Sequence, residues 1–395
     1  MVAENKGTGS VNAMLAFKKG TVDFISEAEL SAKLQKKKVL RVKLGFDPTV
    51  SDLHLGHTVV MQKLRQFQEA GHQIIFLIGD YTAQIGDPSG RDKTRPTLTE
   101  KEVTANAKTY LAQAFKILDK KKTEVRRNSE WMKKQTAMNL VALAGEYNVA
   151  RMLERDDFRN RFQEGQQITI REFLYPLIQG YDSVALKADV ELGGQDQKFN
   201  LAVARDVQRA YGQEPEVIIT VPLLIGTDGQ KKMSKSYGNY IGVTESPKEM
   251  FGKIMGLTDE LMWHYYELLT DVEVAVAKQQ HPKAAKINLA KILVERFHSK
   301  IFAEQAAEEF EKIFSKGEKP VDIEEVVLPS RLRLIDLLVS QGLASSKSDA
   351  RRLIQQGGVR LDDQKVSDSE MILSSSKPCL LQVGKRRFLR IRFKN

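Results

Sequence analysis

Residues 39 to 79 constrain the fold more than any other stretch of this 395-residue chain. Val39-Leu40-Arg41-Val42-Lys43-Leu44 reads as a strand, Gly45 to Leu53 as a turn-rich loop, Thr58 to Ala70 as a helix, and Gln73 to Ile78 as a second, buried strand. A strand, a helix and a strand at this spacing make a βαβ unit, because parallel strands need a crossover connection. His54-Leu55-Gly56-His57 falls where the first strand hands over to its helix, the usual ligand edge of a parallel sheet. Imidazoles at i and i+3 share one face. At a helix start they add donors to free backbone N–H groups and to the positive end of the dipole. No third ligand with metal-like spacing is near, so no metal site is expected.

A second segment complements the first. Val217 to Val221 reads as the last strand of the sheet, Gly226-Thr227-Asp228-Gly229-Gln230 as a flexible turn, and Lys231, Lys232 and Lys235 as cations on a mobile loop. Lys232-Met233-Ser234-Lys235-Ser236 after the histidine pair points to activation of a carboxylate by ATP. When a carboxylate attacks the α-phosphate and expels pyrophosphate, charge grows on the phosphate oxygens. Catalysis then rests on positioning and on placed donors rather than on a nucleophilic side chain.

The length predicts two or three domains and a sizeable core. One cysteine, Cys379, leaves no internal disulfide and suits a reducing compartment; Met1 to Thr21 lacks the apolar segment of a signal peptide. No run approaches the roughly 18 apolar residues of a membrane span, so a cytoplasmic protein without membrane contact is expected. The net charge of +10 is unevenly spread: residues 331 to 395 hold 14 Lys/Arg against 6 Asp/Glu, a net of +8. That places a basic partner surface at the C-terminus.

The C-terminal segment reads as a separate module. Lys319-Pro320 and Leu328-Pro329 bracket an acidic linker, and Ser330 is placed to cap a helix carrying Leu332, Ile335, Leu338 and Val339. Ser346 to Asp349 resembles a capping box for a second helix ending at Gly357-Gly358, with Lys347, Arg351 and Arg352 facing phosphates. Val359-Arg360-Leu361 opens a hairpin, and Arg390, Arg392 and Lys394 alternate with Leu389, Ile391 and Phe393 as on a strand with one cationic face. Between these regions, Asp196 to Tyr211 has the spacing of a core helix through Phe199, Ala202, Val203, Val207 and Ala210. Residues 246 to 316 are helical in period, and Trp131 and Trp263 read as packing residues.

These motifs resemble those of the class I aminoacyl-tRNA synthetases, and most of all the bacterial tyrosyl branch. The resemblance rests on Gly45-Phe46-Asp47-Pro48-Thr49, His54 to His57, Gly86-Asp87-Pro88-Ser89-Gly90, Tyr175 with Gln179 and Asp182, Gly193-Gly194-Gln195-Asp196-Gln197, and Lys232 to Ser236. It implies an α/β fold: a Rossmann-type parallel-sheet catalytic domain with an inserted connective segment over 1–225. A lysine-rich loop and α-helical tRNA-recognition domain would follow over 226–318, then a linker over 319–330. A small α+β RNA-binding module like that of a ribosomal small-subunit protein would fill 331–395.

By the same resemblance the chain uses tyrosine, ATP with Mg2+, and tRNA(Tyr), and forms a homodimer. Asp87, Tyr175 and Gln179 match contacts to the amino-acid ammonium, Asp182 the acceptor for the phenol, and Gln197 a residue near the carboxylate. Thr49, His54, His57, Lys232 and Lys235 match the catalytic set. Gly45, Asp47, Gly56, Gly193, Asp196, Met233, Ser234 and Ser236 complete the ATP site, and Arg91 and Arg95 match holders of pyrophosphate or the tRNA acceptor end. Two positions depart. Many tyrosyl enzymes place Tyr-Cys where this chain has Lys43-Leu44, the tyrosine donating to the phenol, and a Trp where it has Lys198. A tryptophanyl-type ligase and a noncatalytic RNA-binding paralogue stay open as alternatives.

Overall fold

The computed structural model describes residues 14–49, 51–89, 98–315, 323, 325–328, 331–374, 378–384 and 387–393. They divide into two compact units between Glu304 and Gln305.

The first unit is built on a sheet of β1 (Asp23–Ile25), β2 (Arg41–Phe46), β3 (Gln73–Ile78), β4 (Thr123–Arg127), β5 (Val190–Gly194) and β6 (Val217–Val221), in the order β1-β6-β5-β2-β3-β4. All pairings are parallel except β1 with β6. Ile74 to Ile78 and Val217 to Ile219 are buried, as the central strands of a sheet covered on both faces must be. Between β2 and β3 runs α1 (Leu55–Glu69), whose Leu55, Val59, Val60, Met61, Leu64 and Phe67 face the core. It starts three residues earlier than the periodicity predicts, because His54 itself is the N-cap.

Helices α2 (Ile170–Leu186) and α3 (Lys198–Ala210) pack against one another on the sheet. The Glu172 carboxylate opens α2 by accepting the N–H of Thr169 at 2.9 Å and is fixed by Arg161 Nη1 at 2.7 Å. On α3, Val203 and Val207 are core as predicted, but Ala210 is exposed and the buried side carries Asn200, Arg205 and Gln208. The predicted helical stretch follows as helices Pro247–Met255, Asp259–Leu269, Val274–Ala277, Pro282–Phe297 and Lys300–Ser315.

The second unit packs helices Leu334–Ser340 and Lys347–Gln355 with a sheet ordered β10-β9-β12-β13-β7 and a small β11-β8 pair. Its strands are β7 (Glu325–Leu328), β8 (Leu332–Arg333), β9 (Val359–Leu361), β10 (Gln364–Lys365), β11 (Ile372–Leu373), β12 (Cys379–Val383) and β13 (Arg387–Phe393). Leu334, Leu337, Leu338, Ala350, Ile354, Val359, Leu381 and Ile391 form its own core. The first of these helices begins at Leu334, and Leu332 belongs to β8 instead; Ser330 lies outside the described residues. Ser346 caps the second helix through Asp349 N at 3.2 Å, but the Asp349 carboxylate reaches back to Ser345 N, one residue before the expected partner.

Candidate functional site

β2 has β3 on one side and β5 on the other, so the chain leaves it in opposite directions at its C-terminal end. That is the topological switch point where an open α/β sheet accommodates ligands. A cavity of about 660 Å³ opens there. Every residue that the sequence assigned to amino-acid or nucleotide binding lines it.

At one wall the two histidines cap their own helix. His54 Nδ1 accepts Gly56 N at 3.2 Å, and His57 Nδ1 accepts His54 N at 3.2 Å. Two of the free backbone donors predicted for a ligand are therefore taken by the imidazoles, and the rings present Nε2 in their place. Burial, then each other and Lys235, push His54 down to about 2; burial first, with Lys235, pushes His57 down to about 4. Both rings are neutral at pH 7, and with Nδ1 accepting, each carries its proton on Nε2. Gly56 is required, since a Cβ there would meet His54 Cε1 at 2.9 Å. Thr49 lines the same side, its N–H bonded to Asp47 O at 2.8 Å.

Opposite, the lysine loop is held rather than free. Asn239 Oδ1 accepts Ser234 N at 2.8 Å while its Nδ2 donates to Asp228 Oδ2 at 2.9 Å and to Lys232 O at 3.2 Å. The strand-like segment that follows pairs with the histidine turn: Leu55 N donates to Ile241 O at 2.9 Å and Val243 N to Leu53 O at 3.1 Å. Lys232 Nζ lies 3.3 Å from Asp196 and Lys235 Nζ 3.5 Å from Asp52, so both ammonium groups sit over the cavity beside carboxylates. Asp228 closes the turn of Gly226 to Gln230, accepting Gln230 N at 3.1 Å.

The amino-acid end lies between β3, α2 and α3. Asp87 accepts Ser89 N at 2.8 Å and Gln197 Nε2 at 2.9 Å. Asn200, buried on α3, donates to Gln179 Oε1 at 3.0 Å and Gln197 Oε1 at 3.1 Å and is itself held by Arg155 at 2.9 Å. Asp47 lines the same cavity, and its carboxylate accepts Thr82 Oγ1 at 2.7 Å and Tyr175 OH at 2.9 Å. Gly79 makes this possible, since a Cβ there would lie 2.0 Å from Asp47 Oδ1.

The floor belongs to Asp182, which is 2% exposed. Its Oδ1 accepts Trp131 Nε1 at 2.8 Å and its Oδ2 accepts Asn128 Nδ2 at 3.3 Å. Trp131 packs against the apolar clusters around Leu177 and Leu77, as its reading as a packing residue expects, and in addition its indole N–H orients Asp182. Burial raises Asp182 to about 7, against the pull of Lys43, Trp131 and Asn128. Asn128 also donates to Thr82 Oγ1 at 3.0 Å, so a continuous chain of hydrogen bonds joins Asp182 through Asn128 and Thr82 to Asp47 and Tyr175. Asn128, Thr82 and Asn200 carry no motif or charge pattern that sequence reading detects.

Of the expected RNA contacts, Arg91 and Arg95 lie outside the described residues. In the second unit Lys347, Arg351 and Arg352 are exposed and pair with Asp336 at 2.8 Å, Glu370 at 3.2 Å and Asp349 at 2.6 Å.

Comparison with known proteins places these geometries in context. Residues 35–315 match the family model for tRNA synthetases class I (W and Y), and residues 332–377 match the S4 domain. Tyrosine--tRNA ligase of Francisella tularensis is 54% identical over 382 residues, covering 95% of this chain and 96% of that protein. Tyrosine--tRNA ligase of Aquifex aeolicus is 53% identical, covering 95% and 97%. Among solved structures, a C-terminally truncated mitochondrial tyrosyl-tRNA synthetase of Aspergillus nidulans superposes with TM-score 0.65 at 21% identity, over 79% of this chain and 96% of that one. The tyrosyl-tRNA synthetase of Archaeoglobus fulgidus complexed with L-tyrosine gives 0.61 at 24% identity, over 75% and 99%.

Proposed function

The chain belongs to the class I tRNA synthetases that serve tryptophan and tyrosine, and from that premise we infer that it is a tyrosine--tRNA ligase. A tyrosine carboxylate oxygen attacks the α-phosphorus of ATP, the bond to pyrophosphate breaks, and a 3′-terminal tRNA hydroxyl then takes the tyrosyl group from the adenylate, releasing AMP. The tryptophanyl and noncatalytic alternatives fall away, since the relatives matching nearly the whole chain are tyrosine--tRNA ligases.

The observation that carries tyrosine selection is Asp182. A buried carboxylate whose two oxygens are each fixed by an N–H is an acceptor waiting for one more donor at the end of a cavity, and a phenol O–H supplies it. Asp87, Tyr175 and Gln179 hold the ammonium, with Asn200 setting Gln179 and Gln197. His54 and His57 donate from Nε2 to the phosphates, and Lys232 and Lys235 exchange their carboxylate partners for the charge that develops in the transition state. Asp47 acts at the amino-acid end, anchoring Tyr175.

Mg2+ enters with the nucleotide. Such an ion takes most of its ligands from phosphates and water, and among the described residues no group of three His, Cys, Asp or Glu forms a dedicated cage. Exposed Met138, Val141, Phe162 and Ile170, all within 137–170, support a homodimer. Among the described residues no helix is long and apolar enough to cross a membrane. The C-terminal unit binds tRNA.

Pyrophosphate exchange with tyrosine, tryptophan and phenylalanine side by side tests this reading. Tyrosine is expected to win over phenylalanine by about 10⁴ to 10⁵, the general magnitude for tyrosyl enzymes rather than a figure taken from this geometry, because phenylalanine leaves Asp182 without its donor. A preference for tryptophan would overturn it.

A further inference from the structure

Lys43 stands where many tyrosyl enzymes have the tyrosine that donates to the substrate phenol, and its surroundings differ in kind from a hydroxyl's. It is 0% exposed, on β2 directly opposite Glu191 of β5 in the sheet register. Its Nζ lies 2.9 Å from Glu191 and donates to Ser183 Oγ at 2.7 Å, the residue after Asp182 on α2. Ser183 Oγ in turn contacts Glu191 at 3.2 Å and Glu216 at 3.1 Å. Lys43, Asp182 and Glu191 all line the cavity.

The ammonium thus pairs with Glu191 of β5 and, through Ser183, joins a buried cluster with Glu216 from the segment before β6, while Asp182 of α2 precedes Ser183 and lines the same cavity; the other groups on Asp182, Trp131 and Asn128, are neutral. An uncompensated carboxylate in such a place takes up a proton. Burial, then Glu191, push Glu216 well up towards its neutral acid. Lys43 is held charged: burial opposes its charge, and its carboxylate surroundings, Glu191 first, outweigh burial.

We propose that Lys43 is a positioning residue for tyrosine selection: its buried ammonium favours the ionised form of Asp182 as the acceptor for the phenol, in place of a side-chain hydroxyl contacting the substrate directly. The inference rests on reading Asp182 as the phenol acceptor. A protonated Asp182 would spend one oxygen on its own proton and lose the charge that makes the contact with tyrosine strong.

The test is tyrosine binding by calorimetry between pH 6 and 9, for the wild type, Lys43→Met and the double variant Lys43→Met with Glu191→Gln. The double variant removes both members of the pair, which buried pairs tolerate better than loss of one, and its fold is checked by circular dichroism and melting. The wild type should lose affinity as pH falls through about 7, where Asp182 takes up its proton. Lys43→Met should move that midpoint upward by about one pH unit, so that affinity at pH 7 drops about fivefold, and the double variant should move it upward by less, because Glu191 opposes Lys43 at Asp182 more weakly; ATP binding stays unchanged in both. A purely structural role would weaken binding without moving the midpoint. If the folded double variant keeps the wild-type midpoint, the proposal is overturned. If the wild type itself does not prefer tyrosine over phenylalanine, the reading of Asp182 fails instead, and the two failures are told apart.

Discussion

His57 Nδ1 lies 3.2 Å from the backbone nitrogen of His54, and the His54 ring turns back in the same way onto Gly56. The pair therefore orients itself before any ligand arrives, which is the preorganisation that electrostatic catalysis requires. Gly56→Ala tests this without replacing either histidine. The added methyl would stand 2.9 Å from His54 Cε1 and force the imidazole aside. Adenylate formation should slow by about 10² or more, as when one placed donor is lost, with tyrosine affinity unchanged. Rapid-quench measurement of adenylate beside tyrosine calorimetry decides it; wild-type rates would remove the histidines from the transition state.

The same burial sets a pH dependence of stability. Unfolded histidines titrate near pH 6.5, whereas His57 and His54 in the fold titrate at about 4 and about 2. Below pH 6.5 the unfolded chain binds protons that the folded one refuses, so their contribution is intact above pH 6.5 and is lost progressively towards about pH 4 and below. Urea midpoints should fall over this window, and less so in His57→Gln. An equal fall in that variant would assign the effect to other groups.

Asn239 ties the lysine loop to Asp228, Lys232 and Ser234. In Asn239→Ala both lysines lose their fixed approach, while the amino-acid end, built on other elements, is untouched. The expectation is a fall in the adenylation rate of about tenfold or more with tyrosine binding intact. Stopped-flow fluorescence on tyrosine and on ATP separates the two, and a loss confined to tyrosine affinity would count against this role.

The face around Met138 and Val141 should govern assembly. These residues are 73% and 63% exposed on one helix, Ala137–Gly145, at a spacing that places them side by side. Placing a charge there, as Val141→Glu, should shift the protein from dimer to monomer in light scattering at micromolar concentration while leaving its melting temperature within a few degrees. An unchanged mass would move the interface elsewhere.

How much of this was legible in the sequence depends on the kind of signal. β3 and β6 fall on their predicted residues, because a fully buried parallel strand is a continuous apolar run bounded by polar turns. The motif residues expected to bind the amino acid or nucleotide, from Gly45 to Ser236, line one cavity. What escaped is the layer that orients them. Asn128, Thr82 and Asn200 are neutral, lie far apart in the chain, and matter only because the fold converges them on Asp182, Asp47 and Gln179. Trp131 packs as expected, but the hydrogen bond of its indole N–H to Asp182 has no sequence signature. The start of α1 was misplaced because histidine is not among the usual capping residues.

The C-terminal unit gives the last prediction. It has a hydrophobic core of its own, from Leu328 to Ile391, so a chain ending at Ser315 removes a body that packs by itself. Residues 331 to 395 also carry +8 of the +10 net charge. Tyrosine-dependent pyrophosphate exchange should therefore survive the truncation, while tRNA charging loses efficiency. Cations that neutralise phosphates release counterions, so the intact enzyme's tRNA affinity should fall steeply with salt, by a slope of about 0.7 to 0.9 for each contact, and the truncated enzyme's slope should be shallower. Lys347 and Arg351 are the sharpest point to probe, since each is paired with one acidic side chain, Asp336 and Glu370, and must exchange it for phosphate. Replacing both by alanine should reduce the salt slope by about two contacts. A double variant with the wild-type slope would place the tRNA on another face of the unit; truncated enzyme that charges tRNA as well as intact enzyme at moderate salt would give the unit a different role.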